Sequence, residues 1–541
     1  MNRFFRLKRI LLVFILFVVS CGRQPSTVSR SADKDAKPVY GDSIIEGSSA
    51  EASTLIPILA SDSASHDISN LIYNGLVKYD KNLDLVCDLA ESFVVSPDGL
   101  AITFKLRKDV KWHDGSPFTS RDVLYTYRVI IDPKTPTAYS EDFKQVKSVS
   151  VPDDYTVNVT YAAPFASALA SWGTSILPAH LLEGKNITES PLSRHPIGTG
   201  PYRFREWVSG QKIVLDANED YFEGRPYINR FIYRVIPDPS TMYMELKAGS
   251  IDMMGLTPLQ YARQTLSRSF TSRFNKYRYP SASYAYMGYN LRHPLFEDKR
   301  VRQALTSAID KDELIQGVLL GMGQKAHGPL PPGRWAYNVN VRDIPYNPKQ
   351  AKLLLAQAGW KEKNSEGILV KNGKPFSFTI LTNHGNPQRL LAAQIIKQRL
   401  GFVGIDVKIR VVEWATFLKE FVHKGNFEAV ILGWTTTPDP DIYEVWHSTK
   451  TNPGELNFIG YKNAEVDRLL VQGRNTFDIA KRRSAYFRIQ EILADEQPYT
   501  FLYVPDALPV VNSRIRGIDP APSGISHNLI KWYVPKMEQM Y

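Results

Sequence analysis

The stretch FSFTILTNHGNPQRLLAAQIIKQRLGFVGIDVKIRVVEWATFLKEFVHKGNFEAVILGW, residues 376–434, switches between two hydrophobic periods without a break. Residues 376–381 carry the pattern of a strand, and Ile405, Val407, Ile409 and Val411 repeat at every second position. Asn386-Pro387 has the chemistry of a helix start, a capping side chain followed by a proline at the first helical position, and Gly401 that of a helix stop. Residues 414–424 fit a second helix ended by Gly425, and 427–432 a third strand. This βαβαβ order predicts a parallel sheet with helices on its faces. Ligands of open α/β sheets sit beyond the carboxyl ends of the strands. That rule points to Thr382, Asn383, His384 and Gly385 after the first strand, and to Gly433, Trp434, Thr435, Thr436 and Thr437 after the third.

Helix punctuation extends on both sides. Asn347 caps and Pro348 opens a helix that Gly359 closes; Asp310 with Glu313 has capping-box spacing before Gly321; Asp478 opens a helix with Ala485, Ile489, Ile492 and Leu493 on one face. Between about 90 and 160 strands dominate: residues 101–106 and 155–160 alternate, with turn chemistry at Pro97-Asp98-Gly99 and His113-Asp114-Gly115. Lys371-Asn372-Gly373-Lys374 reads as a hairpin turn.

The first 21 residues are a basic segment (Arg3, Arg6, Lys8, Arg9), an apolar run over 10–19, then Ser20 and Cys21. The run is shorter than the ~20 residues a membrane span needs, so residues 1–20 read as a signal peptide. Val18-Val19-Ser20-Cys21 resembles the lipobox of bacterial lipoproteins, which implies lipidation of Cys21. Residues 21–38 then form a polar, flexible tether. With Cys21 lipidated, Cys87 has no partner for a disulfide and reads as a small core residue.

At 541 residues, 43% hydrophobic and 22% charged, the chain suits a large multi-lobed globular body. Lys and Arg outnumber Asp and Glu by 66 to 55, but no run of five or six like charges exists, which argues against a nucleic-acid partner.

Several blocks then resemble, in order, the dipeptide/oligopeptide/nickel family of ABC-transporter solute-binding proteins, bacterial extracellular solute-binding protein family 5. They are Ala90-Glu91-Ser92-Phe93 through Ser96-Pro97-Asp98-Gly99, Trp112-His113-Asp114-Gly115, Pro196-Ile197-Gly198-Thr199-Gly200-Pro201-Tyr202, Leu246-Lys247-Ala248-Gly249-Ser250-Ile251-Asp252, and Arg300-Val301-Arg302-Gln303-Ala304-Leu305. The resemblance implies an α/β, two-lobed, periplasmic-binding-protein-like clamp of the type II, oligopeptide-binding-like kind, with an additional inserted α+β subdomain. Lobe I would comprise 39–58, 191–283 and 505–541, the inserted subdomain II 59–190, and lobe III 284–504. Chain crossings are implied near Tyr284 to Asn290 and near Tyr503 to Pro509.

The resemblance also implies the ligand set. Trp434 sits where the family places an aromatic ligand contact, beside Gly433. Asn383, His384 and Thr435, Thr436 and Thr437 join it on the strand-end argument, and Ser49 and Glu51, after the first strand, face them from the opposing lobe. Peptide-binding branches place an Asp three residues after the Trp to hold the ligand's amine; here that residue is Thr437. Asp439 is a substitute, although Pro438-Asp439-Pro440-Asp441 equally suits a turn capped by its own aspartates. The dipeptide branch carries an Arg in the loop matched by Asn383-His384-Gly385; here the first Arg is Arg389, inside the helix pattern, which favours a longer peptide.

The function so implied is capture of extracytoplasmic peptides, and their delivery to an ABC permease, by a monomeric receptor. It would be lipid-anchored to a bacterial membrane and need no cofactor and no resident metal. A nickel chelate or an oligosaccharide is the alternative ligand in the same fold. An enzyme is disfavoured by the absence of G-x-S-x-G, H-E-x-x-H and C-x-x-C, and a purely structural lipoprotein is the remaining reading.

Overall fold

The computed structural model describes residues 37–541. The signal peptide (1–20), Cys21 and nearly all of the tether lie outside the described residues. No helix of the described residues is long and apolar enough to cross a membrane.

The 376–434 unit forms as its punctuation demands. Strands Ser377–Asn383, Asp406–Val412 and Ala429–Thr435 are parallel, with the first in the centre. Helix Pro387–Gly401 packs between the first two, its Asn386 side chain accepting from the Arg389 amide. Residues 414–424 depart from a plain α-helix: a short α turn runs into a π-helix over Phe417–Val422. The wider turn brings Phe417 and Val422, five positions apart, both into the core.

The parallel unit is only part of its sheet. Strand Ser283–Tyr289 pairs antiparallel with Ala429–Thr435, and Tyr499–Ala507 pairs antiparallel with Ser283–Tyr289, giving a mixed seven-stranded sheet. Separate apolar cores cover its two faces, one built on Ile380, Ile396 and Ile431, the other on Phe417, Trp446 and Tyr499.

The other seven-stranded sheet, the first in chain order (the sheet around residues 376–434 being the second), takes strands from three distant stretches: Gly41–Ser48; then Tyr202–Val208, Lys212–Ala217, Ile228–Val235, Met253–Gly255 and Phe274–Lys276; then Pro509–Asn512. A smaller four-stranded sheet, Ala90–Val95, Ala101–Leu106, Thr156–Tyr161 and Val146–Asp153, shares one continuous core with it, Phe104 and Trp172 belonging to the same cluster as Tyr202 and Phe231. The chain passes between the two large sheets over 277–278, before the short strand Tyr279–Pro280 pairs with Tyr499–Ala507, and again at Leu508. The second passage agrees with the crossing expected near Tyr503 to Pro509. The first precedes the one expected at Tyr284 to Asn290, because those residues are already the strand beside Ala429–Thr435.

Cys87 is half-buried at the end of a two-stranded hairpin, outside the core expected of it, and is unpaired. The hairpin at Asn372-Gly373 forms with both residues at positive φ, 54° and 74°.

The three stretches of the first sheet are stapled by one buried arginine. Arg514 pairs with Asp42 and with Asp252, whose side chains are 0% and 3% exposed, and donates to the Ser43 carbonyl at 2.9 Å. Replacing it by alanine leaves two buried carboxylates without their cation. We expect Arg514→Ala to cost about 3–5 kcal/mol in a denaturant titration; a loss below ~1 kcal/mol, the size of an exposed pair, would contradict the staple.

Candidate functional site

Trp434 ends the strand on an aromatic stack. Tyr286 and Tyr499 lie parallel, 3.9 Å apart, Trp434 lies nearly parallel to Tyr286 at 6.5 Å, and its indole N–H donates to the Tyr499 hydroxyl at 3.3 Å. The ring is half-buried. Gly433 is there for closeness: a Cβ would meet the Tyr284 carbonyl at 2.9 Å. Thr435 is exposed, Thr436 binds the Ala282 carbonyl through its amide (2.7 Å) and hydroxyl (3.0 Å), and the exposed Thr437 donates its hydroxyl to the Asp439 carbonyl. This loop is thereby pinned to the segment that leads into Ser283–Tyr289.

Arg389 corrects the expectation that no arginine serves the 383–385 loop. It occupies the third position of its helix, and helical side chains lean toward the N-terminus. Its Nη1 donates to Asn383 Oδ1 at 2.7 Å, and its Nη2 lies 3.6 Å from the place a Gly433 Cβ would take. Among the described residues no carboxylate pairs with it, and burial holds its pKa below the usual arginine value, opposed by Tyr503 and Tyr286.

The opposing wall belongs to the first sheet. The backbone of Ser49 approaches the loop directly: a Cβ on Gly385 (φ +83°) would sit 3.4 Å from the Ser49 carbonyl and 3.0 Å from that of Pro237. His384 is exposed, its amide held by the Val412 carbonyl at 2.7 Å. A cavity of about 290 Å³ opens between these walls, lined among others by Ser49, Asp67, Thr257 and Gly385. A second, of about 310 Å³, shares Gly255 with it and reaches Glu46, Tyr279 and Leu508.

Two carboxylates of this wall went unmarked in sequence. Loss of hydration, with the Asp67 charge second, pushes Glu46 up to about 8, and a hydrogen bond with Tyr233 only partly opposes it. Asp67 is reachable from the crevice, yet loss of hydration and the nearby Asp62 push it up to about 6. Among the described residues no ion pair holds either.

Glu51 and Asp439 have partners of their own. Glu51 accepts from the Trp207 indole at 2.6 Å and the Gly210 amide at 3.1 Å, which ties its loop to the sheet edge. Asp439 is bound by Arg482 at 2.8 and 3.0 Å and accepts from the Asp441 amide at 2.9 Å, so it caps the turn.

Two bodies, joined by two crossings and enclosing a crevice between them, define the class of solute-binding clamps. The chain belongs to the bacterial extracellular solute-binding proteins, family 5, whose middle region matches residues 84–455. It is 36% identical to the oligopeptide-binding protein AppA of Bacillus subtilis, across 97% of this chain and 98% of that one. The crystal structure of AppA with a nonapeptide superposes with a TM-score of 0.88 at 35% identity, covering 92% of this chain and all (100%) of that one. NikZ of Campylobacter jejuni in complex with Ni(L-His) gives 0.83 at 30% identity, over 91% of this chain and 99% of that one. DppA of Helicobacter pylori with the peptide STSA gives 0.82 at 30%, over 92% and 99%.

The stack under Trp434 supports its ring without enclosing it, so truncation should spare the fold and remove ligand contact. We expect Trp434→Ala to weaken ligand binding more than about tenfold, or ~1.4 kcal/mol, in calorimetry; unchanged affinity would remove Trp434 from the site.

Proposed function

We propose that this chain captures peptides, as an oligopeptide receptor, and hands them to an ABC permease. One observation carries the choice of ligand: among the described residues Arg389 of one body has no carboxylate partner, and the carboxyl groups of Glu46 and Asp67 on the other have no cation partner. A buried charge without a partner is costly. A ligand with an anionic and a cationic end relieves both walls, and a peptide with free termini is such a ligand. A neutral sugar is not.

In this reading Trp434, Gly433 and Thr435 to Thr437 form the floor with Asn383 and His384, Ser49 lies opposite, and Glu51 and Asp439 position their loops. AppA, with its nonapeptide, supports the longer class of peptide. The lobe division is proposed as the resemblance implies it: 39–58, 191–283 and 505–541; the insert 59–190; and 284–504. The lipobox-like Val18-Val19-Ser20-Cys21 supports lipidation of Cys21 and a monomeric receptor held by its tether at a bacterial membrane, on the extracytoplasmic side.

Thermal-shift measurements with peptides of two to eight residues test the function, with nickel chelates and oligosaccharides as controls. Ligand at about 100 times its dissociation constant adds ~2.7 kcal/mol and raises the midpoint. We expect shifts with peptides; a shift with a control alone would replace the substrate.

The charge reading predicts proton traffic. Glu46 is protonated at pH 7 in the free crevice, and a bound ammonium lowers its pKa, so binding releases a proton and affinity falls as pH drops from about 8 toward 6. Calorimetry at pH 7 in buffers of different ionisation enthalpy should find that Glu46→Gln releases about one proton fewer than the parent. Equal release would place Glu46 outside the site.

A further inference from the structure

Residues 253–296 contain neither Asp nor Glu, yet they carry Arg263, Arg268, Arg273, Lys276, Arg278 and Arg292. Three of these cations are engaged by the fold. Lys276 is held by the Tyr261 carbonyl at 3.2 Å and the Thr265 hydroxyl at 2.8 Å, Arg278 pairs with Asp506 at 2.6 Å, and Arg292 reaches the Phe458 and Thr451 carbonyls at 2.9 and 2.8 Å. Arg263, Arg268 and Arg273 are exposed, and among the described residues none of them is in an ion pair. Leu259 and Leu266 stand in the same stretch, 49% and 69% exposed.

This stretch lies along the helix Pro239–Ala248, and three hydrogen bonds fix the alignment. Gln260 donates to the Pro239 carbonyl at 2.8 Å, the Tyr243 hydroxyl to the Gln264 carbonyl at 2.7 Å, and Arg273 to the Lys247 carbonyl at 3.0 Å, in step along both segments. The helix turns Met242, Tyr243 and Leu246 into the core they share with Phe270 and Phe274, which leaves Met244, 60% exposed, and the exposed Lys247 on its outer side. Helix and stretch therefore share one outer face, in which three large apolar side chains are set among cations. Just past the helix stop at Gly249, Asp252 shares Arg514 with Asp42, so this end of the helix adjoins the start of the first strand, where the chain enters the body. Tyr40 and Tyr541 are exposed at that root, the Tyr541 amide donating to Asp42 at 3.1 Å.

We propose that this face rests on a bilayer containing anionic lipid, with Lys247, Arg263 and Arg268 among the headgroups and Met244, Leu259 and Leu266 at the acyl boundary. Cations alone would suit any acidic surface. Leucine and methionine set among arginines suit the membrane interface, where apolar side chains reach the acyl boundary and basic ones stay with the headgroups. The place of the face argues the same way: a coil over residues 22–38 spans roughly 20–25 Å, so a bilayer holding Cys21 lies within reach of this end of the body. Tyrosines at the root, Tyr40 and Tyr541, suit the headgroup level. The proposal rests on the tethered-receptor reading above for this second argument, and goes beyond it by giving the body itself a lipid-binding face and hence a fixed orientation.

The test is flotation of the chain from residue 21, carrying Cys21→Ser so that no acyl chain contributes, with vesicles of phosphatidylglycerol and phosphatidylcholine and with vesicles of phosphatidylcholine alone. We expect binding to the anionic vesicles only, weakening as salt is raised. Arg263→Glu/Arg268→Glu should lower it by at least about tenfold, since each basic residue near an anionic leaflet adds to the attraction. Leu259→Ser/Leu266→Ser should weaken it with every charge in place, which separates seating in the interface from attraction at a distance. Hydrogen exchange of the unsubstituted segment covers any variant that fails to fold: anionic vesicles should protect the amides of residues 259–268. Equal flotation of the parent and the charge-reversed variant, or none with anionic vesicles, overturns the proposal, and an acidic protein surface then becomes the occupant. The anchor is read separately, from the intact mass of the unsubstituted chain taken from bacterial membranes. A bare Cys21, with flotation of the Cys21→Ser chain still lost in the charge-reversed variant, removes the anchor and keeps the face.

Discussion

One buried arginine decides whether there is a clamp at all. The first sheet is assembled from strands near residues 41–48, 202–276 and 509–512, and no local signal brings these together. Arg514 does, by binding Asp42 and Asp252 while Asp252 also accepts from the Ile45 amide. Burial alone would raise the Asp252 pKa, and the guanidinium opposes it. With both carboxylates fixed, the strand that ends at Ser48 delivers Ser49 to the crevice rim, and the tail strand sends the chain back from the second body at Leu508. The hinge and one wall of the site therefore hang on the same ion network.

The site uses charge in the opposite way. The staple pairs its buried guanidinium with two carboxylates, whereas around the crevice Arg389 of one body and the carboxyl groups of Glu46 and Asp67 of the other have no ion-pair partner among the described residues. Aromatic surface at Trp434 supplies contact area that does not demand a particular side chain. In the proposed function such a site reads the two ends of a peptide by charge and its middle by shape.

Local features were legible in the sequence because their physics is local. Asn347, Asn386 and Asp478 accept from amides two or three residues on, as their spacing demanded, and Asp310 caps its helix in the same way. The reciprocal half of the Asp310 box is diverted, since Glu313 binds Arg399. The parallel strands around Ser377–Asn383 were legible too. Their antiparallel continuation was not, because Ser283–Tyr289 and Tyr499–Ala507 lie far away in sequence and carry no mark of their partners. Of the site, Trp434 and its loop could be picked out by strand-end position. Arg389 was passed over as a helix residue although the backward lean of helical side chains was the available signal. Glu46 had none: in an alternating strand, only the fold decides which face meets a crevice. Asp439 had two readings, and only the return of Arg482 from another helix separates them.

The most direct measurement compares one peptide in two forms by calorimetry, with free termini and with its amino end acetylated and its carboxyl end amidated. Contacts to the aromatic floor are the same for both, so the difference isolates the charged walls. The account predicts that blocking both ends weakens binding by more than about a hundredfold, ~2.7 kcal/mol. Equal affinity for the two forms would contradict it.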